Sequence, residues 1–442
     1  LIFSDIFRPM ERSFTHLRYL IALFYMFILL LVQALVNHRA LGVLSLQGIV
    51  LVFFPMVFIY AFRGFDEQSL YSVKKSYRNF LMGSLLGFGA GSLVMLLFPG
   101  QYQTRLLITS FLAGAFLLPA ACSLFFRLLV GSFKTTDYLV LGREEECREY
   151  ILELAENLTG IGRFLGCLDP ETGMYNDQRN FPRGLKPHYL VASYPYSEET
   201  LNKVREETGL CGVPVKYLPV LYEEAAKRIP VDLLERFREY YFLEFSRVRL
   251  SNMKRVADVL ISFFGLVILF PAFLVISIFI LLEDGWPIFY LQERVGYRKR
   301  HFTIYKFRSM YREKEKGKAR YATEQSSKIT RTGRTMRPVR LDEIPQFLNI
   351  LLGHMSFIGP RPEQPQFAEE LAEAIPFYNY RHLLKTGLTG WAQINYQYAA
   401  TEAEQRKKLS YDLYYVKNRN LLLDGKILLK TIETVVFRRG AK

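Results

Sequence analysis

Apolar residues run almost unbroken through four stretches in the first third of the chain: Tyr19 to Val36, Leu41 to Phe62, Phe80 to Phe98 and Leu106 to Phe126. Roughly 20 apolar residues cross a bilayer as a helix, so the pattern predicts four transmembrane helices. The first stretch is long for a secretory leader, lacks a small-residue cleavage site and is followed at once by another apolar stretch. Gly83, Gly87 and Gly91 recur every four residues within the third, the spacing at which two membrane helices approach closely. Arg8, Arg12 and Arg18, then Arg63, Lys74, Lys75 and Arg78, then Arg127 and Lys134 flank the spans on one side, which the distribution of basic residues places in the cytoplasm. The chain starts at Leu1, and sequence ahead of it is expected.

The pattern then changes to that of a soluble α/β unit over 134–246. Tyr138-Leu-Val-Leu-Gly142 reads as a buried strand leading into a helix at Arg143 to Leu158, followed by strand candidates at Arg163 to Leu168, His188 to Ala192 and Val213 to Leu218. Alternating strands and helices predict a Rossmann-like domain. Only Gly142 stands where a glycine-rich phosphate turn would lie, and Glu144, Glu145 and Glu146 put negative charge where a pyrophosphate would sit. No tight dinucleotide binding is expected, and the domain reads as structural, oligomerising or regulatory.

A fifth apolar segment, Val256 to Leu282, has basic residues on both flanks: Arg247, Arg249, Lys254 and Arg255 before it, Arg294, Arg298, Lys299 and Arg300 after it. Both ends are therefore expected in the cytoplasm, with the helix entering one leaflet and turning back near Phe270-Pro271, where proline removes a hydrogen bond. A true fifth span kinked at Pro271 is the alternative. Two later segments, Pro376 to Lys385 and Tyr411 to Arg419, mix aromatic, aliphatic and basic residues, as interfacial helices do and as core helices with snorkelling cations also do. The fold class expected is an α-helical membrane domain (1–133), a Rossmann-like α/β domain (134–246) and a mainly α monotopic domain with a re-entrant helix (247–442).

Charge adds the chemistry. The 442 residues carry a net charge of +15, and Arg298 to Arg340 alone holds fifteen Lys or Arg against three Glu, a local net of +12. That stretch ends at Asp342-Glu343, in Arg340-Leu-Asp-Glu-Ile-Pro-Gln346. Cations suit a multiply charged phosphate substrate, and adjacent carboxylates can hold a divalent metal or supply a nucleophile. Pro345 predicts a helix start that places Asp342 at the N-cap or first turn. Gly359-Pro-Arg-Pro362 fixes Arg361 between two prolines, a defined direction for a phosphate-binding fork, with Lys306, Arg308 and Arg337 as further cations. In Thr386-Gly-Leu-Thr-Gly-Trp-Ala-Gln393 two glycines suit tight turns, Trp391 can stack on a base or sugar and Gln393 hydrogen-bond it, so Thr389, Gly390, Trp391 and Gln393 are the nucleotide-sugar-binding candidates. Cys122, Cys147, Cys167 and Cys211 are scattered without metal-ligand spacing and read as isolated thiols in a reducing compartment.

Lys306-Phe-Arg-Ser-Met310, Leu341-Asp-Glu-Ile-Pro-Gln346, Gly359-Pro-Arg-Pro362 and Thr386 to Gln393, in this order behind Lys254-Arg255, resemble the bacterial sugar transferases, the monotopic phosphoglycosyl transferases. The layout ahead of them is similar to that of the large members that initiate exopolysaccharide, capsule or O-antigen synthesis. The resemblance implies a ping-pong reaction at the cytoplasmic face of the bacterial inner membrane. Asp342 would attack a UDP-sugar, release UMP and pass the phosphosugar to polyprenyl (undecaprenyl) phosphate. Glu343 would share Mg²⁺ with Asp342, and Arg337 and Arg361 would hold phosphates. A homo-oligomer is expected, and no nucleic-acid partner. Two other readings stay open: a glycosyltransferase that releases UDP, and a membrane scaffold or regulator.

Overall fold

A computed structural model of the chain describes residues 11–37, 46–62, 64–65, 69–70, 72–95, 104–131, 136–158, 162–172, 174–176, 186–311, 329–396, 399 and 401–436. Residues 38–45, 96–103 and, in the basic stretch, 312–328 lie outside these. The chain divides into two compact units, the first within the N-terminal 135 residues and the second from Thr136 to the C-terminus.

The first unit is helical: α1 (Glu11–Asn37), α2 (Leu46–Ala61), α3 (Val73–Met95), and α4 (Thr104–Leu112), which runs through a five-residue π-helical turn into α5 (Leu118–Gly131). Among the described residues of the whole chain, three helices are long and apolar enough to cross a membrane: Tyr19–Val36, Thr104–Leu128 and Asn252–Asp284. The first two match expected spans. The other two expected spans fall short, since α2 has 16 residues and α3 starts on Lys74, Lys75 and Arg78. The glycine spacing does serve helix packing. A Cβ on Gly83 would stand 2.6 Å from Ile59 Cα, and one on Gly87 would collide with the Pro55 backbone, so α2 and α3 meet backbone to backbone.

The second unit begins with a four-stranded parallel sheet. Its strands are β1 (Thr136–Leu141), β2 (Gly162–Leu168), β3 (Tyr189–Ala192) and β4 (Val215–Tyr217), in the order β2-β1-β3-β4, with α6 (Glu144–Asn157) and α7 (Glu198–Thr208) as crossovers. Short βαβ units with continuous apolar strands account for the parallel arrangement. All three acidic residues expected at the helix start do occupy the first turn of α6.

Past β4 come α8 (Leu218–Ala226), α9 (Val231–Arg236) and α10 (Arg238–Ser246). Ile229, Phe237 and Tyr241 from this segment share one hydrophobic core with Ile358, Trp391 and Leu413. Lys417, 8% exposed, is clamped by Glu223 of α8 at 2.8 Å, and Ile229 N–H donates to Ser410 O. The boundary expected at residue 246 therefore runs through a packed core, and α8–α10 cover the C-terminal segment.

The fifth apolar segment forms α11 (Asn252–Asp284), 33 residues capped by the Ser251 hydroxyl. Helix runs through Pro271, so the turn expected there is not a break in the helix. One missing N–H costs a helix of this length a single hydrogen bond. Both ends of α11 are tied to the same body. Near its start, Arg255 donates to the carbonyls of Ile350 and Leu351, and Asp258 accepts from Ser356 Oγ and Phe357 N–H. Ile276 and Ile280 pack with Phe307, Met336 and Ile344, and Arg308 reaches the carbonyls of Asp284 and Gly285. The opposite face is bare, with Ile268 74% and Leu282 79% exposed.

The remaining elements are the hairpin β5 (Phe289–Val295) and β6 (His301–Phe307), α12 (Arg331–Met336), α13 (Gln346–Leu351), β7 (Ser356–Ile358), α14 (Pro365–Ala374), β8 (Gly387–Thr389), α15 (Trp391–Asn395), α16 (Glu402–Asn418) and α17 (Leu421–Val436). The two aromatic and basic segments are core: Tyr378, Arg381, His382, Leu413, Tyr415 and Val416 are all buried. Arg381 and Lys417 pair with the buried acids Asp412 and Glu223.

Candidate active site

Between α12 and α13 the chain makes two 3-10 turns, Arg337–Val339 and Leu341–Glu343, joined at Arg340 in the left-handed region (φ 55°). Asp342 and Glu343 lie on the second turn. Pro345 is the N-cap of α13, so Asp342 precedes the helix instead of capping it. The helix start expected at Asp342 is instead a 3-10 turn that closes at Ile344, and the helix begins only after Pro345.

The two carboxylates have different surroundings. Glu343, 6% exposed, accepts from Lys306 Nζ and Arg361 Nη2 at Oε1, each at 3.2 Å, and from Arg340 Nη1 at Oε2, at 3.4 Å. Burial alone would raise its pKa, but Lys306, Arg361 and Arg340 outweigh that and hold it well below the usual range. Asp342 is half-buried, and no ion pair joins it among the described residues. Burial first and the Glu343 charge second push its carboxyl up, against the pull of Lys306 and Arg337. Glu343 is therefore an ionised anchor, while Asp342 is a carboxylate beside cations with no ion pair among the described residues, open to a substrate or a metal ion.

Each cation of the site comes from a different element. Lys306 is on β6, locked to α13 by Asn349, which accepts from Tyr305 N–H and donates to Thr303 O. Burial lowers the Lys306 pKa, with Glu343 opposing. Arg337 sits on the first 3-10 turn, and its Nη1 is buried without a hydrogen-bond partner. Arg361 is aimed by a loop held at every carbonyl from Pro360 to Glu363. Pro360 O accepts from Gly387 N–H, Arg361 O from Arg381, Pro362 O from Arg294, and Glu363 O from Val295 N–H. The two prolines, which have no N–H, leave the loop dependent on these outside donors.

Other expected site residues are placed elsewhere. Arg308, 6% exposed, pairs with Asp284 at 3.0 Å as well as capping the end of α11, so its guanidinium is engaged there. Trp391, 2% exposed, donates to Lys227 O at 2.9 Å and has no face open for stacking. Thr389 Oγ1 bonds Thr431 Oγ1 at 2.6 Å, and Gln393 donates to Leu388 O. A Cβ on Gly390 would collide with Gly359 O, so this motif is the seat on which the Arg361 loop rests. Arg340, Arg294 and Arg381 are not among the site residues expected from the sequence. Arg340 stands three residues from Glu343, a spacing that could have flagged it; Arg294 and Arg381 carry no local signal.

Among the described residues no group of three or more His, Cys, Asp or Glu comes together. Mg²⁺ commonly takes one or two carboxylates and completes its shell with substrate phosphates and water, and the unpaired Asp342 fits that use. Glu343 Oε2 accepts a 3.4 Å bond from Arg340 and keeps a second lone pair with which it could join.

The bacterial sugar transferase family model matches residues 249–438, which contain this whole site. The match extends to most of the length of the exopolysaccharide production protein PSS of Rhizobium leguminosarum bv. phaseoli, 33% identical over 195 residues, 42% of this chain and 96% of that protein. The chain belongs to the bacterial sugar transferase family. The chain is also 39% identical over 234 residues to the UDP-N-acetylgalactosamine-undecaprenyl-phosphate N-acetylgalactosaminephosphotransferase of Aeromonas hydrophila, 53% of this chain and 55% of that one. It is 35% identical over 237 residues to the undecaprenyl-phosphate glucose phosphotransferase of Komagataeibacter xylinus, 51% of this chain and 44% of that one. The match thus spans about half the length of those two relatives.

Proposed function

We propose that this sugar transferase moves a sugar-1-phosphate from a UDP-sugar to undecaprenyl phosphate, as a first membrane step of exopolysaccharide or O-antigen synthesis. The observation that carries the mechanism is the asymmetry of the dyad, with Glu343 held by three cations and Asp342 unpaired. An Asp342 Oδ attacks the β-phosphorus of the UDP-sugar. The bond from that phosphorus to the bridging oxygen breaks, and UMP leaves with the electron pair. A phosphate oxygen of the polyprenyl acceptor then attacks the same phosphorus, and the bond to Asp342 breaks, restoring its carboxylate. Arg337 and Arg361 hold phosphate oxygens through both steps, while Glu343 fixes Lys306 and Arg361 in place. Arg308 and the 389–393 motif act through the frame rather than on substrate. Mg²⁺, held by Asp342 and the diphosphate, would neutralise phosphate charge and restrain the leaving group.

In this reading α2 and α3 complete a four-span membrane domain in the bacterial inner membrane. The second unit lies on the cytoplasmic face, with α11 entering one leaflet by its bare face and returning. The attachment of both ends of α11 to one body supports this. A cysteine introduced at Arg300 is then labelled only after permeabilisation; labelling of intact cells would overturn the topology. The reaction is tested by UMP release from UDP-N-acetylgalactosamine and UDP-glucose, with undecaprenyl phosphate and Mg²⁺. UDP as product would mean a glycosyltransferase, and no nucleotide product from either donor would favour a scaffold.

A further inference from the structure

Arg381 plays no part in the steps just described, yet it is 2% exposed and makes three hydrogen bonds from one guanidinium. Nη2 donates to Asp412 Oδ2 at 2.7 Å and to Arg361 O at 3.0 Å, and Nη1 donates to Tyr378 Oη at 2.8 Å. Stability gives a weak reason for such a group, because a buried ion pair is often replaceable by apolar residues of similar volume without loss. Geometry gives a stronger one. Asp412 lies in the middle of α16, a 17-residue helix with a full capping box, and the guanidinium fork bridges that rigid element to the backbone of Arg361. The Arg294 and Gly387 contacts fix the prolines on either side. Arg381 fixes the carbonyl of the phosphate-holding residue itself, from which its side chain is aimed.

We propose that Arg381 is a positioning residue that sets the direction of Arg361, and that it contributes to phosphosugar transfer only through Arg361. The inference rests on the reading of Arg361 as a phosphate-holding group. A planar fork with two donors on one nitrogen can serve Asp412 and Arg361 O together; an ammonium on a flexible stem holds neither direction as firmly. Loss of the bridge leaves Arg361 present and charged but free to swing. Misplacement by about 1 Å can cost up to about 100-fold in rate.

The test is a double-mutant cycle on the full chain in nanodiscs containing undecaprenyl phosphate, reading kcat and KM for UMP release from UDP-N-acetylgalactosamine or UDP-glucose, whichever is used. Arg381→Met with Asp412→Leu removes the bridge and fills its volume. It should lower kcat/KM by about 10- to 100-fold in the wild-type background, but by less than about 3-fold on top of Arg361→Ala. Arg381→Gln with Asp412→Asn removes both charges and, with a side chain two atoms shorter, also the donor that reaches Arg361 O, and should fall about as far as the Met/Leu variant. Tyr378→Phe, which deletes only the third acceptor, should stay within about 2-fold. Additive losses in the cycle would overturn the proposal, as would wild-type kinetics in the Met/Leu or the Gln/Asn variant. Should the Met/Leu variant fail to fold, Arg381→Lys takes its place in the same cycle. Full activity in Arg361→Ala would instead remove the phosphate-holding role on which the inference stands.

Discussion

Asp342→Asn should abolish transfer and make the protein more stable. The folded state raises the Asp342 carboxyl from 3.8 to about 6, through burial and the neighbouring Glu343 charge. A rise of about two units at about 1.36 kcal/mol each sets a ceiling of about 3 kcal/mol on the cost of ionised Asp342 at neutral pH. Partial exposure lets solvent screen the charge, so about 1–2 kcal/mol is expected. The sign follows from the direction of the shift. A raised pKa means that the folded state binds the proton more tightly, so the associated stability is full below the unfolded value near 3.8. It is lost as pH rises through about 6. The isosteric amide carries no charge and escapes the loss. By thermal unfolding in detergent or nanodiscs, Asp342→Asn should melt about 2–4 °C above wild type at pH 7.5. The gap should shrink to about half at pH 5, while UMP release falls by about 1,000-fold or more. A lower melting temperature at pH 7.5, or a gap that does not shrink with acid, would refute the electrostatic account of the dyad.

Glu343→Gln should act in the opposite direction. It leaves Lys306 and the more exposed Arg361 without their shared anion and should cost about 1–3 kcal/mol, seen as a drop in melting temperature at neutral pH. Because the Glu343 pKa is depressed, its stabilisation is present above the ordinary carboxylate range and is lost as pH falls below it, so the penalty should diminish in acid. Trp391→Phe removes the N–H donated to Lys227 O and should cost about 1–3 kcal/mol with donor KM unchanged; a raised KM for UDP-sugar would restore a stacking role. A chain beginning at Arg247 loses the apolar cover of Ile229, Phe237 and Tyr241 and should aggregate or melt far below one beginning at Leu218. Equal melting temperatures and activity of the two would show that α8–α10 are dispensable.

The sequence made legible whatever depends on local pattern. Unbroken apolar runs marked α1 and α11, strand and helix alternation marked the parallel sheet, and prolines around a single arginine marked the Arg361 loop. Charge clustering pointed to Asp342, Glu343, Lys306 and Arg337. What stayed hidden depends on packing between distant segments. Trp391 looked like a stacking platform because nothing local shows that Lys227, 164 residues earlier, supplies an acceptor for its N–H. Arg308 looked like one more phosphate cation until the end of α11 was seen to occupy it. For the segments holding Arg381 and Lys417, local pattern leaves interfacial and core helices equally open, since the partners that decide for the core, Arg361, Asp412 and Glu223, come from other elements. The domain boundary was placed at the composition change before α11, but α8–α10 bury their apolar faces against the segment that follows.

The central claim is that Asp342 carries the phosphosugar. Incubating the purified protein with UDP-N-acetylgalactosamine or UDP-glucose and Mg²⁺, without lipid acceptor, tests it most directly by peptide mass spectrometry after rapid quenching. The account predicts a stoichiometric burst of UMP and one sugar-phosphate mass on the peptide containing Asp342, discharged on adding undecaprenyl phosphate and absent in Asp342→Asn. UMP that appears only when the acceptor is present, or an adduct on a different residue, would contradict it.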